Sequence, residues 1–392
     1  MLNLDLQNPY PTYKKLRLEA PICRLQPEGP WLIAAHTDAV TVLRDASRFR
    51  SSRSREPSLQ EPDFLLRTRG LVGQDPPEHT RLRARIREAF APKPMQLLSD
   101  RIRALARSQL QELAQRESFD FVGEFSKRFP LQVLSMLIGV PLEKAQDFQN
   151  WVELLVNWGA ADCPFGRDEA LQCAADIQNF FEAQIEQRAN SEGDDLISVL
   201  SRNIDPSQRS AAADELLIFL RLLLVAGTET TTHLMGNTVL ALLQQPELWS
   251  KIQKDRRRIP DLVEESLRFD SPVPSLIRWA TADTLLAGVL IRENEAVMPL
   301  LASANHDESV FTNPESFDLD RLSRPHLSFG AGPHHCVGVV LARLQVRLVF
   351  EEFFELFLRV EFKNSEPIER VESFFVRGPH RLWLKATPAP LA

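Results

Sequence analysis

The residues Phe329-Gly330-Ala331-Gly332-Pro333-His334-His335-Cys336-Val337-Gly338 set one cysteine on a glycine-rich loop, ahead of an amphipathic stretch that begins Val339-Val340-Leu341-Ala342-Arg343. A thiolate stays ionised in positive surroundings, and the unpaired amides at a helix start supply them. The loop glycines permit backbone angles that a side chain forbids. Gly338 lets something large and flat approach the helix, and Phe329 can pack beneath it. Such a socket suits a thiolate that holds the iron of a haem. Other chemistries compete for Cys336. A zinc site wants several ligands at workable spacing, and His334 and His335 are too close in sequence to close one tetrahedral shell with it. A nucleophilic cysteine served by a base from elsewhere stays open, as does a buried structural cysteine.

Three further constellations carry potential chemistry. Glu265 and Arg268 are three apart, so a helix puts both charges on one face, where they can pair. In Ala226-Gly227-Thr228-Glu229-Thr230-Thr231 an acid and an alcohol follow a long apolar run. Thr competes for helix carbonyls and Gly weakens the turn, so the helix can widen there. A kinked core helix with a solvent-facing Glu229 is the plainer reading. In Asp75-Pro76-Pro77-Glu78-His79-Thr80-Arg81-Leu82-Arg83 the Asp-Pro-Pro is a turn that starts a helix. His79 and Arg83 then share a face and can grip carboxylates, although a solvated basic face also fits Arg81, Arg85 and Arg87.

The loop around Cys336 resembles the haem-binding signature of the cytochrome P450 family, Phe-Gly-x-Gly-x-x-x-Cys-x-Gly, at every fixed position. Leu341-Ala342-Arg343 is similar to the bacterial members without a membrane anchor. The resemblance runs from about Asn8 to the C-terminus and implies a mainly α fold with a minor β region, in a single domain over residues 1–392. It implies haem b (iron protoporphyrin IX) with Cys336 as axial ligand to the metal. His79, Arg83, Arg278 and His334 would clamp the propionates. Phe329, Gly330, Gly338, Ala226 and Gly227 would lie against the cofactor. Thr230 and Glu229 would manage protons during oxygen activation, and Glu265, Arg268 and Arg321 would form a buried structural network. Arg278-Trp279-Ala280-Thr281-Ala282-Asp283, followed by Gly288, reads as strand, turn and strand, similar to the family's small sheet beside the haem. Two departures stand out: Gln345 where a Glu is frequent, which would alter charge on the electron-donor face, and Asn305-His306-Asp307-Glu308 in place of a commoner Asn-Arg-Asp-Pro.

The elements that must position these residues are mostly helical. Apolar residues recur at three- and four-residue spacing over 95–115, 169–188, 215–244, 262–268 and 339–357. Strand-like pieces are short, at 30–34, 296–300 and 380–385. No repeat and no Pro/Gly/Ser linker divides the 392 residues. Met1-Leu2-Asn3-Leu4-Asp5 lacks the basic, then apolar, character of a signal peptide, and no run reaches the ~20 apolar residues of a membrane span. The expectation is a cytoplasmic protein. The cysteines Cys23, Cys163, Cys173 and Cys336 form no disulfide pattern; Cys23 and Cys173 read as packing residues.

A net charge of −7 argues against nucleic acid as a partner. Arg81, Arg85, Arg87, Arg343 and Arg347 nonetheless form a basic set that the resemblance puts near the thiolate side of the haem, and such a patch suits an acidic partner. No flavin or iron–sulfur motif is present, so electrons come from outside, with an acidic ferredoxin and its reductase as the expected donor. The family resemblance implies monooxygenation, hydroxylation or epoxidation of a small molecule in secondary metabolism. The segments 51–71, 151–165, 219–226 and 273–277 with Phe374-Phe375-Val376 would line the pocket, and their apolar content implies a hydrophobic substrate, free or tethered to a carrier protein. Arg53, Arg55, Arg67 and Arg69 could recognise an acidic group on it. Oxidative coupling or desaturation on the same fold is the alternative, and a non-catalytic haem-binding protein is a third reading, one with little use for the Glu229-Thr230 pair.

Overall fold

A computed structural model describes residues 4–53, 70–87, 90, 92–157, 166–188, 193–201, 209–321 and 325–389, and among these described residues fourteen helices carry the apolar periodicity. In chain order the helices are α1 (Tyr10–Glu19), α2 (His36–Arg44), α3 (Glu78–Arg87), α4 (Pro92–Ala114), α5 (Phe129–Ile138), α6 (Ala145–Asn157), α7 (Arg167–Arg188), α8 (Leu196–Ser201), α9 (Arg209–Ala226), α10 (Glu229–Gln244), α11 (Pro246–Lys254), α12 (Ile259–Phe269), α13 (Leu301–Ala304) and α14 (Val339–Leu356). The strands are β1 (Ile22–Arg24), β2 (Trp31–Ile33), β3 (Phe49–Arg50), β4 (Ser118–Asp120), β5 (Arg278–Ala280), β6 (Thr284–Leu286), β7 (Val289–Ile291), β8 (Ala296–Pro299), β9 (Phe357–Phe362) and β10 (Trp383–Pro388). Among the described residues no helix is long and apolar enough to cross a membrane. Arg55, Arg67, Arg69 and Cys163 lie outside the described residues.

The stretch 215–244, periodic throughout, is two helices. α9 stops at Ala226 and α10 starts at Glu229. Between them the Thr228 hydroxyl donates to the Leu224 carbonyl at 2.6 Å, the competition for backbone acceptors that Thr brings to a helix. A Cβ on Gly227 would stand 2.8 Å from the Leu223 carbonyl oxygen, so the tight turn excludes a side chain. Glu229 then lies in the first turn of α10, where an acidic group favours the helix start. At the other end of the chain α14 stops at Leu356 although the apolar pattern runs on, because Phe357 turns extended and opens β9.

Contacts divide the chain into two compact units. The first comprises Met1–Ser51, Ser99–Lys127 and Thr230–Ala392; the second comprises Ser52–Leu98 and Arg128–Glu229. Among the described residues, the first unit holds all the sheets. Its five-stranded sheet runs β1-β2-β8-β5-β3, with β2 and β8 parallel and the other pairs antiparallel. Its three-stranded sheet runs β4-β10-β9. The structure has the strand, turn and strand read from 278–288: Arg278–Ala280 is an inner strand of the five-stranded sheet, residues 281–283 bend, and Thr284–Leu286 opens a separate hairpin, β6-β7, closed by the turn at Ala287-Gly288. Both turn residues have positive φ, +45° and +83°, the backbone of a two-residue hairpin turn. One apolar cluster packs α2 and the five-stranded sheet (Val42, Leu43, Phe49, Ala280, Val297) against Leu327 and Ala331, and so seats the cysteine loop. A second cluster is aromatic: Phe121, Phe125, Phe353 and Phe357 have ring centroids 4.9–5.6 Å apart where they meet.

The second unit is helical. Phe148, Trp151, Phe180 and Phe181 from α6 and α7 form its aromatic core, with centroids 5.3–5.9 Å apart. Leu196, Ile197 and Leu200 of α8 are buried beside it in sequence order after α7. The Asp195 side chain caps α8 through the Ser198 amide at 3.0 Å.

Candidate active site

Cys336 is half-buried and lies between a short turn of 3-10 helix, Gly332–His334, and the start of α14. Its amide donates to the Phe329 carbonyl at 2.9 Å, which closes the loop on itself. Gly330 and Gly332 have φ of +69° and +71°, the left-handed region that glycine supplies at no steric cost. Gly332 is fixed by space as well: a Cβ there would lie 2.5 Å from the Leu43 carbonyl oxygen and 2.7 Å from Arg44 Cα. Gly338 is different. Among the described residues, a Cβ there would meet one neighbouring atom within 4 Å, Cys336 Sγ at 4.0 Å. Room therefore remains between Gly338 and the sulfur, and α14 begins there with Gly338 as N-cap. Phe329 lies on this loop with its ring under the Arg343 guanidinium, 4.8 Å from the ring centroid.

Other candidates of the first unit are placed as follows. Arg278 is buried on β5 and donates to the Ile277 carbonyl at 2.7 Å. His334 is half-buried in the turn of 3-10 helix. Thr230 is in the first turn of α10. Glu265, Arg268 and Arg321 are brought together: Arg268 donates to both Glu265 oxygens at 2.7 and 3.0 Å, and Arg321 Nε reaches the same carboxylate at 3.2 Å. The side chains of Glu265 and Arg268 are 0 % exposed. Burying them costs several kcal/mol per ion unless every group is satisfied. Arg268 meets that requirement through the carbonyls of Asn305, Pro314 and Ser316, and Glu265 also accepts the Asp318 amide.

In the second unit His79 and Arg83 share one face of α3, with His79 2 % exposed. Asp75 accepts the amide and hydroxyl of Ser52 at 3.0 and 2.6 Å, and the His79 amide donates to the Asp75 carbonyl, so the Asp-Pro-Pro turn delivers the helix start. Ala226 and Gly227 end α9, and Glu229 follows the turn.

The basic set does not stand as free charge. Arg81 pairs with Glu78 and Glu215, and Arg85 with Glu215. Arg343 pairs with Glu264 at 2.6 Å, and Arg347 with Glu351 at 3.6 Å. Carboxylates three to four residues away, or on other elements, offset four of the five arginines. Gln345 needs a correction too. It is 2 % exposed and donates to the Thr231 hydroxyl at 3.4 Å, so it adds nothing to a surface field. Cys173 is buried, and burial raises its thiol to about 11.

Sequence reasoning missed two networks. Asp270 is buried, and burial would raise its carboxyl, but the charges of Arg370 and Arg377 and the Tyr10 hydroxyl outweigh it and lower the group. The contacts are 2.7 Å from Arg370 and 2.8 Å each from Arg377 and Tyr10. This network ties the segment before α1 to the loop Phe374-Phe375-Val376, since Arg377 also donates to the Leu6 and Gln7 carbonyls. Glu264 gathers Arg343 and His326. Burial would raise Glu264 as well; the hydrogen bonds from His326 and Arg343 and the Arg343 charge overcome it and hold the carboxyl at about 2. Only long-range pairing marks these residues, and spacing along the chain carries no trace of it.

A cysteine on a closed glycine loop, room beside its sulfur at Gly338, and the buried Arg278 of the same unit fit a haem, whose propionates are carboxylates. The site and the mainly helical fold with its minor sheets define a haem-thiolate protein. The cytochrome P450 family model matches residues 13–386, and the chain belongs to that family. Its activity is that of a monooxygenase and its cofactor is haem b. A vitamin D(3) 25-hydroxylase of Pseudonocardia autotrophica is 35% identical over 384 residues, covering 96% of this chain and 93% of the relative. The CYP109E1 crystal structure from Bacillus megaterium, in complex with testosterone, superposes with a TM-score of 0.86 at 29% identity over 96% of this chain and 99% of that one. P450BioI, crystallised with an acyl carrier protein bearing hexadec-9Z-enoic acid, superposes with a TM-score of 0.88 at 29% identity over 97% and 98%.

Proposed function

We propose that the chain hydroxylates or epoxidises a bulky hydrophobic small molecule of secondary metabolism, in the cytoplasm, with residues 1–392 working as one catalytic domain. The observation that carries the reading is the Cys336 loop, closed by its Phe329 hydrogen bond and left open at the sulfur by Gly338. Haem b, when bound, supplies the activation of O2 and the transfer of one oxygen atom, with the other leaving as water after uptake of two electrons and two protons. Cys336 holds the iron. By the family resemblance, His79, Arg83, Arg278 and His334 would hold the propionates by charge-assisted hydrogen bonds. Phe329, Gly330, Gly338, Ala226 and Gly227 allow close approach of a flat group. The Thr230 hydroxyl and the Glu229 carboxyl hold and pass the protons. Glu265, Arg268 and Arg321 keep the loop's support rigid.

The electrons come from an external ferredoxin and its reductase. Support for that partner rests on the missing flavin and iron–sulfur motifs rather than on free surface charge, because Arg81, Arg85, Arg343 and Arg347 are paired. A sterol-like skeleton agrees with the 25-hydroxylase relative and the testosterone-bound neighbour. The acyl-carrier complex of another neighbour favours a second reading, a fatty acyl chain delivered on a carrier protein. Titration of the purified holoprotein with sterols, free fatty acids and acyl-carrier protein, read as the spin-state shift of the Soret band, separates these. A shift with sterols supports the first reading, a shift with the acyl-carrier alone supports the second, and no shift with any of them removes both.

A further inference from the structure

We propose that Arg343 is a positioning residue for the Cys336 loop, acting through Glu264 and the ring of Phe329; the inference rests on Cys336 being the haem ligand. Arg343 lies one turn into α14 and Glu264 lies on α12. Arg343 Nε donates to Glu264 Oε1 at 2.6 Å and Nη2 donates to Oε2 at 2.8 Å, a fork-on-fork contact that fixes the plane of the guanidinium. That plane lies over Phe329, 4.8 Å from the centroid. The same carboxylate fixes a second neighbour of the ring. His326 Nε2 donates to Glu264 Oε2 at 3.2 Å, and its Nδ1 accepts the Ser328 amide at 3.4 Å, which sets the tautomer with the proton on Nε2. The His326 ring centroid is 6.1 Å from that of Phe329.

Phe329 is thus held by two side chains that share one anchor, and its own carbonyl accepts the Cys336 amide at 2.9 Å. Glu264, Arg343, Phe329 and Cys336 form one chain of contacts that ends at the sulfur-bearing residue. An ordinary exposed ion pair is worth little. Two features set this one apart: the bidentate geometry, and the use of the aromatic ring as a second contact for the guanidinium. The Arg343 side chain is 42% exposed, so the fold does not need it as core. Its loss should loosen the loop without unfolding the protein.

The test uses the reduced holoprotein with carbon monoxide in rising urea. The red-shifted band of thiolate-ligated haem is followed beside far-UV circular dichroism. In the native sequence band and helix content are lost together. In Arg343→Ala, and in the isosteric Glu264→Gln, the band is lost at a lower urea concentration than the helix signal. Arg343→Lys does not restore it, because an ammonium can neither fork nor stack as a guanidinium does. The double variant Arg343→Ala/Glu264→Gln loses no more than either single one. Coincident loss of band and helix in both single variants overturns the inference, as does full rescue by lysine. A native protein that binds haem without ever showing the band overturns the Cys336 reading itself and removes the ground for this one.

Discussion

Replacing Arg268 by alanine takes a cation from a carboxylate that has no access to water. Glu265 and Arg268 are both 0 % exposed, and Arg268 also serves the carbonyls of Asn305, Pro314 and Ser316 at 2.8–3.0 Å. Breaking a buried pair by deleting one partner costs about 3–5 kcal/mol, because the remaining charge stays buried. Arg321 still reaches Glu265 at 3.2 Å, which limits that part. The orphaned carbonyls add roughly 1 kcal/mol each where water does not replace the donor. A loss of about 4–6 kcal/mol follows, against a total of about 5–15 kcal/mol for a folded domain. Urea unfolding of the holoprotein, followed by circular dichroism and by the Soret band, measures it. If the alanine variant yields too little folded protein, Arg268→Lys serves: it keeps the charge and loses the fork, and a loss of about 2–3 kcal/mol is expected from the missing charge-assisted hydrogen bonds. A change below about 1 kcal/mol in either variant, at unchanged slope, would refute the reasoning that this buried network depends on Arg268.

Other outcomes follow from the same geometry. Glu264 is held at about 2 against an ordinary 4.5, so the folded state binds fewer protons there; its contribution, about 3 kcal/mol at most, is complete above pH 4.5 and is lost as pH falls towards 2. Acid unfolding of Glu264→Gln should therefore show a shallower fall in stability over that window than the native protein. Gly332→Ala forces a side chain into a backbone with φ +71° and against the Leu43 carbonyl at 2.5 Å. The strain alone is about 1–2 kcal/mol, read as a lower thermal midpoint and weaker haem retention on gel filtration. Tyr10→Phe removes one of three partners of Asp270 and should cost about 1 kcal/mol, whereas Arg377→Met should cost about 3 kcal/mol or more in the same urea assay.

The helices were legible because burial imposes a 3.6-residue period, and α4, α7, α12 and α14 lie within a few residues of the periodic runs. Periodicity could not mark the interruption at Gly227-Thr228, because apolar spacing continues through it; the Thr228 hydroxyl bond to Leu224 is a local event. The cysteine loop was legible because its glycines are demanded by positive φ at Gly330 and Gly332 and by open space at Gly338. Charge was the poorest guide. Arg81, Arg85 and Arg343 looked like a basic face until their carboxylates, Glu215 and Glu264, arrived from other elements. The Asp270 network draws on Tyr10, Asn237, Arg370 and Arg377, residues joined by folding alone.

The central claim is that Cys336 ligates haem iron as a thiolate. The reduced-minus-carbon monoxide difference spectrum of the purified protein tests it, with Cys336→Ser as its partner measurement. A strongly red-shifted Soret band in the native protein, abolished in Cys336→Ser with folding retained, is the result the account predicts. A band at the position of histidine-ligated haem in the native protein, or an unchanged red-shifted band in Cys336→Ser, would contradict it.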